Sequence, residues 1–181
     1  MEILPVRKPN RIKDYDYSTN GVYFITICTK GRCEVLGVIN GSLDDIYGTP
    51  SVKLSEYGKT VKGFVENIPN VYSGVDVPLY IIMPDHVHLI IECYCEDAGG
   101  TPRAASSHSR LACRYAASPT NMLIPKIVNS LKGLSSKKTG VSLWQRSYSD
   151  HVIRNYSDYL RIADYISTNP LRRLLKQAAD L

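Results

Sequence analysis

A chain of 181 residues, 44% of them hydrophobic, with a formal net charge of +5, is typical of one globular domain rather than a fibrous or disordered protein. No apolar run reaches the roughly 18 residues of a membrane span and no signal-peptide core follows the start, so we expect a cytoplasmic protein without a membrane partner. Five cysteines without zinc-ribbon spacing are expected to be reduced thiols, although "CTKGRC" and "CYC" leave a metal site open.

Charge is distributed unevenly along the chain. Residues 41–100 carry three basic and nine acidic side chains, whereas residues 120–181 carry ten basic and four acidic ones. Residues 1–20 resemble an extended basic arm. A basic arm and a basic C-terminal third suit a polyanion such as nucleic acid, although an ordinary solvated surface has the same composition.

The first third of the chain predicts strands followed by a helix. Residues 21–29 alternate as a strand does, residues 34–41 give a second strand ending in an Asn-Gly turn, and residues 51–54 give a short return strand. An apolar stripe at helical spacing follows. We expect this amphipathic helix to be capped by Ser55 and ended by Pro69.

The middle of the chain predicts a hairpin, an insertion and a helix. Residues 75–83 and 86–93 are strands separated by a Pro-Asp turn, and their close spacing indicates an antiparallel pair. Residues 95–121 are rich in Ala, Ser, Gly and Pro and predict a flexible insertion. Residues 123–140 place apolar side chains at helical spacing and predict a helix.

The last part of the chain ends in helices. Residues 142–154 begin as a polar and aromatic segment and end as a strand. Residues 156–170 predict a helix with Ser157 as its cap and Pro170 near its end, and the tail at 171–181 is consistent with one more short helix.

The element order predicts the fold class. Strands and helices do not alternate as parallel crossovers would require, which favours an α+β fold with an antiparallel sheet covered by helices. We expect residues 1–181 to form a single domain.

Two histidines interrupt an otherwise apolar strand. His86 and His88 are two residues apart, so their side chains point to the same face. Two imidazoles can share a divalent metal ion, but most metals need more than two ligands. A surface pair, or two hydrogen-bonded core histidines, would give the same spacing.

The predicted helix at 156–170 carries a second polar group. Tyr165 and Asn169 are four residues apart and share one helix face. Asp158, Arg161 and Arg172 fall close to the same stripe, as they also would on an ordinary polar helix face. The apolar residues expected mainly on the opposite, core-facing side are Tyr159, Leu160, Ile162, Ala163 and Ile166.

Three sequence blocks together resemble a known family. "MPDHVHLII", "WQRSYSDHVIRN" and "DYISTNP", in this order, are similar to the REP-associated tyrosine transposases, which belong to the single-tyrosine HUH transposases. The resemblance covers the strand at 21–29 and most of residues 75–173. It implies an antiparallel sheet flanked by helices, similar to a ferredoxin-like or RRM-like core.

The resemblance also implies an activity and a site. Tyr165 would be the nucleophile, and His86, His88 and Asn169 would bind the divalent metal, Mg²⁺ or Mn²⁺. The substrate would be single-stranded DNA with hairpins, cleaved and rejoined through a 5′-phosphotyrosine intermediate. Members of this group act as monomers or as homodimers, and the sequence leaves both open.

Several further side chains are candidates for the DNA interface or compete for a role. Tyr148, Tyr156 and Tyr159 lie near the proposed nucleophile, but the family match favours Tyr165, and Trp144 is expected to be a core anchor. The candidate phosphate contacts are Arg146, His151, Arg154, Arg161, Arg172, Lys137 and Lys138.

Two other functions stay open from the sequence. A domesticated relative would bind DNA hairpins without cleaving them. A metallohydrolase would use the histidines to activate water and would not depend on Tyr165.

Overall fold

A four-stranded antiparallel sheet with helices on both faces is the centre of the structure. The computed structural model describes residues 20–41, 49–94 and 123–179. The predicted basic arm, except residue 20, and the predicted insertion at 95–121 lie outside the described residues. Among the helices in these ranges, none is long and apolar enough to cross a membrane.

The elements largely follow the predicted order. A second sheet of two strands accompanies the main one, and a single 3-10 turn at Lys30–Arg32 follows the first strand. The strands are β1 Gly21–Cys28, β2 Gly37–Asn40, β3 Ser51–Leu54, β4 Val75–Met83, β5 His86–Cys93 and β6 Ser149–Ile153. The helices are α1 Glu56–Glu66, α2 Ile68–Val71, α3 Leu123–Thr139, α4 Tyr156–Ser167 and α5 Asn169–Ala179.

The main sheet has the strand order β4-β5-β1-β6, and every neighbouring pair is antiparallel. With α1 and α3, these strands form the β-α-β-β-α-β arrangement of a ferredoxin-like fold. The predicted α+β class and the predicted antiparallel hairpin are therefore confirmed. Helical crossovers do exist, but each joins two parallel strands that have a third strand between them, so no adjacent pair is parallel.

The two faces of the main sheet are covered differently. Side chains alternate along a strand, so Tyr23, Ile25 and Ile27 of β1 face the larger core, which includes apolar side chains of α1 and α3. The other face carries a smaller cluster, in which Ile90 and Ile153 belong to the sheet. Helix α4 supplies the remaining buried side chains of this cluster and leaves one end of the face uncovered.

The helix starting at residue 56 begins as predicted but ends differently. The Ser55 hydroxyl accepts a hydrogen bond from the Gly58 N–H at 3.1 Å, which confirms the cap. Pro69 does not end the helix. It lies in the first turn of α2, where the fixed φ of proline is suitable. Backbone N–H groups in a first turn make no hydrogen bond within the helix, so the absence of one in proline costs nothing there.

The cap predicted for α4 is wrong. Asn155, not Ser157, precedes the helix in an extended conformation, and its side-chain oxygen accepts a hydrogen bond from Asp158 N–H at 2.9 Å. Leu160, which was expected to face the core, is 49% exposed. The helix ends at Ser167, before the predicted boundary at residue 170, and α5 starts two residues later.

Candidate active site

The uncovered end of the sheet face forms a cleft of about 490 Å³. Neighbouring strands bring its polar side chains together, because Thr26 of β1 is the register partner of His88 of β5 and Cys28 is the partner of His86. Helix α4 forms the opposite wall. The cleft is lined by Phe24, Thr26, Cys28, Arg32, His86, His88, Ser149, His151, Arg161, Ile162 and Tyr165.

A buried carboxylate orients the first histidine. His86 Nδ1 lies 2.6 Å from Asp85 Oδ1, and Arg32 Nη1 donates to Asp85 Oδ2 at 3.3 Å. Although burial alone would raise the pKa of Asp85, the hydrogen bond from His86 and the positive charge of Arg32 lower it. Because a carboxylate only accepts, Nδ1 carries the proton, and neutral His86 presents the lone pair of Nε2.

A hydroxyl orients the second histidine. His88 Nδ1 lies 2.9 Å from Thr26 Oγ1. The other ring nitrogen, Nε2, is buried without a hydrogen-bond partner. Burial is the largest cause that lowers the pKa of His88 to about 3, and the nearby charge of Arg32 adds to it, so the ring is neutral at pH 7. Burial also lowers the pKa of His86.

The histidine pair suits a metal ion. The two ring centroids are 4.5 Å apart and the rings are inclined at 71°. A ligating histidine typically makes a hydrogen bond through its other ring nitrogen, and both rings do so here. Within the described ranges, no group of three or more His, Cys, Asp or Glu side chains is suited to hold a metal ion. A metal on this pair would therefore take its remaining ligands from other donors, such as an amide, water or a phosphate.

Helix α4 brings Tyr165 to the histidines. Ile162 and Ile166 are buried against the sheet, and Tyr165 lies beside this apolar stripe, 36% exposed. Its ring centroid is 5.3 Å from that of His88 and 6.3 Å from that of Phe24. The sequence predicted that Tyr165 lies on the side of α4 opposite the apolar residues. In the structure, Tyr165 and the apolar residues Ile162 and Ile166 all face the sheet.

The third predicted ligand has a different setting. Asn169 is 7% exposed and is the first residue of α5, because Thr168 ends α4 between it and Tyr165. It is not among the residues that line the cleft. Its role as a metal ligand stays a prediction from the family resemblance.

Two of the candidate phosphate contacts, His151 and Arg161, line the cleft and share an acidic partner, and a third, Arg172, lies beside the ring of Tyr165. His151 Nε2 and Arg161 Nη2 contact the two carboxylate oxygens of Asp158 at 2.7 and 2.6 Å. These hydrogen bonds lower the pKa of Asp158. The Arg172 guanidinium carbon lies 5.6 Å from the centre of the Tyr165 ring.

The other candidate contacts lie elsewhere. Arg146, Arg154, Lys137 and Lys138 are exposed and do not line the cleft. Both lysines belong to the last turn of α3, whose apolar side chains pack on the opposite face of the sheet. A role in DNA binding stays a prediction for all four.

The aromatic residues near β6 have structural roles. Trp144 is buried and its indole N–H donates to Ser135 Oγ at 2.8 Å, so the predicted core anchor is confirmed. Tyr148 is also buried in the larger core and does not line the cleft, so it does not compete with Tyr165 there. Tyr156 is 73% exposed and its ring stacks on that of Tyr159.

Sequence reasoning missed the residues that orient the histidines. Asp85 directly precedes His86. Carboxylates often orient the histidines that bind metals, so this neighbour could have been predicted to hold the His86 ring. Thr26 is 62 residues from His88, and only the strand register brings them together. Arg32 reaches the cleft because of a turn conformation that the sequence pattern does not specify.

Comparisons with known proteins agree with these observations. No family model matches the chain. An uncharacterized protein of Haemophilus influenzae is 33% identical over 171 residues, which cover 91% of this chain and 88% of that protein. A protein of the same organism named "Putative REP-associated tyrosine transposase" is 24% identical over 157 residues, which cover 87% of this chain and 74% of that protein.

A solved structure has the same fold. It is described as a REP-associated tyrosine transposase bound to a REP hairpin, and it matches with a TM-score of 0.56 at 17% identity, over 94% of this chain and 79% of that one. The named relative agrees with the three sequence blocks, and the solved structure shares the fold. The chain is therefore similar in sequence to a protein named as a REP-associated tyrosine transposase, and it has the fold of a solved one.

Proposed function

We propose that this protein is a metal-dependent transposase of single-stranded DNA that acts through a phosphotyrosine intermediate. One observation carries the proposal: the ring of Tyr165 lies in the same cleft as two neutral histidines, 5.3 Å from His88 between centroids. The hairpin bound by the structural relative supports hairpin-bearing DNA as the substrate class. The expected compartment, the cytoplasm, stays a prediction.

In this proposal, His86 and His88 hold the metal through their Nε2 atoms, and Asn169 is a further candidate ligand. Mg²⁺ or Mn²⁺ bound there would neutralise and polarise the scissile phosphate. Imidazole and amide ligands are neutral, so they leave the charge of the ion available to the substrate. Asp85 and Thr26 hold the rings in the orientation that presents Nε2 to the cleft.

Tyr165 performs the chemical step. Its hydroxyl proton passes to solvent, because a neutral phenol is a much weaker nucleophile than the phenolate. The phenolate oxygen bonds to the phosphorus, the bond from phosphorus to the 3′ oxygen breaks, and that oxygen leaves as a 3′-OH after protonation. The link to the 5′ phosphate conserves the phosphodiester, so a 3′-OH of another strand can reverse the step without ATP.

A covalent-adduct assay tests the proposal. The protein is incubated with a set of hairpin-bearing oligonucleotides and Mn²⁺ or Mg²⁺, and products are separated under denaturing conditions. We expect an adduct with the wild type and with Tyr156→Phe, whose exposed tyrosine is on the same helix outside the cleft. Tyr165→Phe should form none.

The assay also separates the two other functions. Salt-dependent hairpin binding without an adduct or cleavage would indicate a non-catalytic DNA-binding protein. Cleaved DNA with free ends, formed equally well by Tyr165→Phe, would indicate a metallohydrolase. Either result would overturn the proposed tyrosine chemistry.

A further inference from the structure

Arg32 has an unusual backbone at the edge of the cleft. Its φ is +58°, and among the residues that the structure describes it is the one non-glycine residue with a positive φ. A side chain with a Cβ pays a steric cost in this region, which is typically found where function requires a particular side-chain position. Gly31, the preceding residue, also has a positive φ of 64°.

The loop carrying Arg32 is fixed by contacts other than its own side chain. The Thr29 N–H and hydroxyl both donate to the Asp85 carbonyl at 3.0 Å. The Leu36 N–H donates to the Pro84 carbonyl at 2.9 Å. The turn before His86 and the loop after β1 are therefore joined through the backbone, and folding of the loop does not require the Arg32 guanidinium.

The Arg32 side chain has capacity for another ligand. It is 54% exposed and donates from Nη1 to Asp85 Oδ2 at 3.3 Å. A guanidinium has five N–H donors in a planar fork that matches a phosphate. The other oxygen of Asp85 holds His86 at 2.6 Å, so one buried carboxylate contacts both Arg32 and a candidate metal ligand.

Other arginines near the cleft differ from Arg32. Arg161 pairs with Asp158, Arg172 with Asp164, and Arg173 with Glu34. None of these three carboxylates forms an ion pair or a hydrogen bond with His86 or His88. Among the arginines that the structure describes, Arg32 is the one that donates to the carboxylate holding His86.

We propose that Arg32 binds a phosphate of the DNA strand in the cleft, and that Asp85 positions Arg32 and His86 relative to each other. The inference deepens the proposed function and rests on it. Arg32 would fix the position of the phosphate beside the histidines. The Asp85 carboxylate would hold the Arg32 guanidinium and the His86 ring at a fixed distance from each other. Asp85 is a positioning residue in this arrangement and Arg32 is a binding residue.

Replacement by glycine separates binding from structure. Arg32→Gly removes the guanidinium and its half-exposed ion pair with Asp85 but also relieves the cost of the positive φ, so thermal stability should change little. The Kd for a hairpin oligonucleotide, measured by fluorescence anisotropy in EDTA, should rise about tenfold, the loss expected for a phosphate contact. The slope of log K against log salt should become shallower by about 0.7 to 0.9.

Matched variants complete the test. Lys59→Ala removes an exposed cation on α1 and should leave the Kd unchanged. Asp85→Asn should lower the affinity for Mn²⁺ by about 10- to 100-fold in calorimetry, because the carboxylate no longer orients His86. An unchanged Kd and salt slope for Arg32→Gly would overturn the phosphate contact, and unchanged Mn²⁺ affinity for Asp85→Asn would overturn the positioning role.

The outcomes are distinct from those of the proposed function. Hairpin binding in EDTA requires neither Tyr165 nor a metal. Weakened binding by Arg32→Gly together with no wild-type adduct would keep the phosphate contact and reject the transposase chemistry. A wild-type adduct together with normal hairpin binding by Arg32→Gly would support the transposase chemistry and reject the phosphate contact.

Discussion

Tyr165 and His88 lie edge to face in one cleft, with ring centroids 5.3 Å apart and rings inclined at 62°. The two residues are 77 positions apart in the chain, on helix α4 and strand β5. The buried contacts of α4 with the sheet produce this proximity, since Ile162 and Ile166 anchor the helix on either side of the tyrosine. The proposed nucleophile and the candidate metal site therefore meet within a single subunit.

We first predict that the histidine pair is the metal site. His86→Ala and His88→Ala should each reduce Mn²⁺ affinity by at least about tenfold in calorimetry. Each substitution removes one of the two imidazole ligands that the protein offers to the metal. Cys33→Ala should not change the affinity, because this exposed thiol is outside the cleft lining. Equal affinity in all three variants would place the metal elsewhere.

The Thr26 hydroxyl should control the orientation of His88. Thr26→Val keeps the shape of the side chain but removes the partner of His88 Nδ1, so we expect about a tenfold loss of Mn²⁺ affinity and about 1 kcal/mol of stability. Thr26→Ser retains the hydroxyl and should retain the affinity. Calorimetry and urea denaturation measure both effects. Identical affinities for the Val and Ser variants would show that the hydrogen bond is unimportant for metal binding.

The low pKa of His88 predicts how stability depends on pH. Burial lowers this pKa to about 3 in the folded protein, below the ordinary value of 6.5, so the unfolded chain binds more protons between these values. Stability is therefore greatest above pH 6.5 and falls as the pH decreases. From pH 7 to pH 5, one such group contributes a loss of about 2 kcal/mol.

Urea denaturation in EDTA at pH 7 and pH 5 measures this dependence. His88→Asn cannot be protonated in this range, so its stability should fall less than that of the wild type over the same interval. His86 also has a lowered pKa and should account for part of the remaining dependence. A variant that loses as much stability as the wild type would contradict the assignment to His88.

Because Tyr165 contacts His88 of its own chain, we predict that each subunit cleaves DNA in cis. A mixture of Tyr165→Phe and His88→Ala proteins should form no more adduct than either variant alone. Recovery of adduct in the mixture, measured on a denaturing gel, would instead show that the tyrosine of one subunit serves the histidines of another.

The sequence predicted the parts of the site that depend on local spacing. Strand periodicity placed His86 and His88 on one face, and the family blocks identified Tyr165. It could not predict the partners that depend on three-dimensional pairing. Thr26 reaches His88 only through the β1–β5 register, and Arg32 reaches Asp85 only through a turn with a positive φ.

Helical spacing predicted the buried Ile162 and Ile166 of α4 but did not hold beyond the end of the helix. The phase of four residues between Tyr165 and Asn169 assumed one continuous helix, whereas the chain ends α4 at Ser167 and starts α5 at Asn169. The proline after Asn169 is compatible with this break, because it suits the first turn of a helix. Exposure of Leu160 shows the related error of assigning every apolar side chain to the core.

Peptide mapping of the covalent product tests the central claim most directly. After reaction with hairpin DNA and Mn²⁺, nuclease and trypsin digestion would leave a nucleotide on one tryptic peptide, identified by mass spectrometry. Residues 162–172 form such a peptide and contain Tyr165 as their one tyrosine. We predict that the added 5′-nucleotide is on this peptide. A nucleotide on a peptide carrying a different tyrosine, or cleaved DNA with no modified peptide, would contradict the claim.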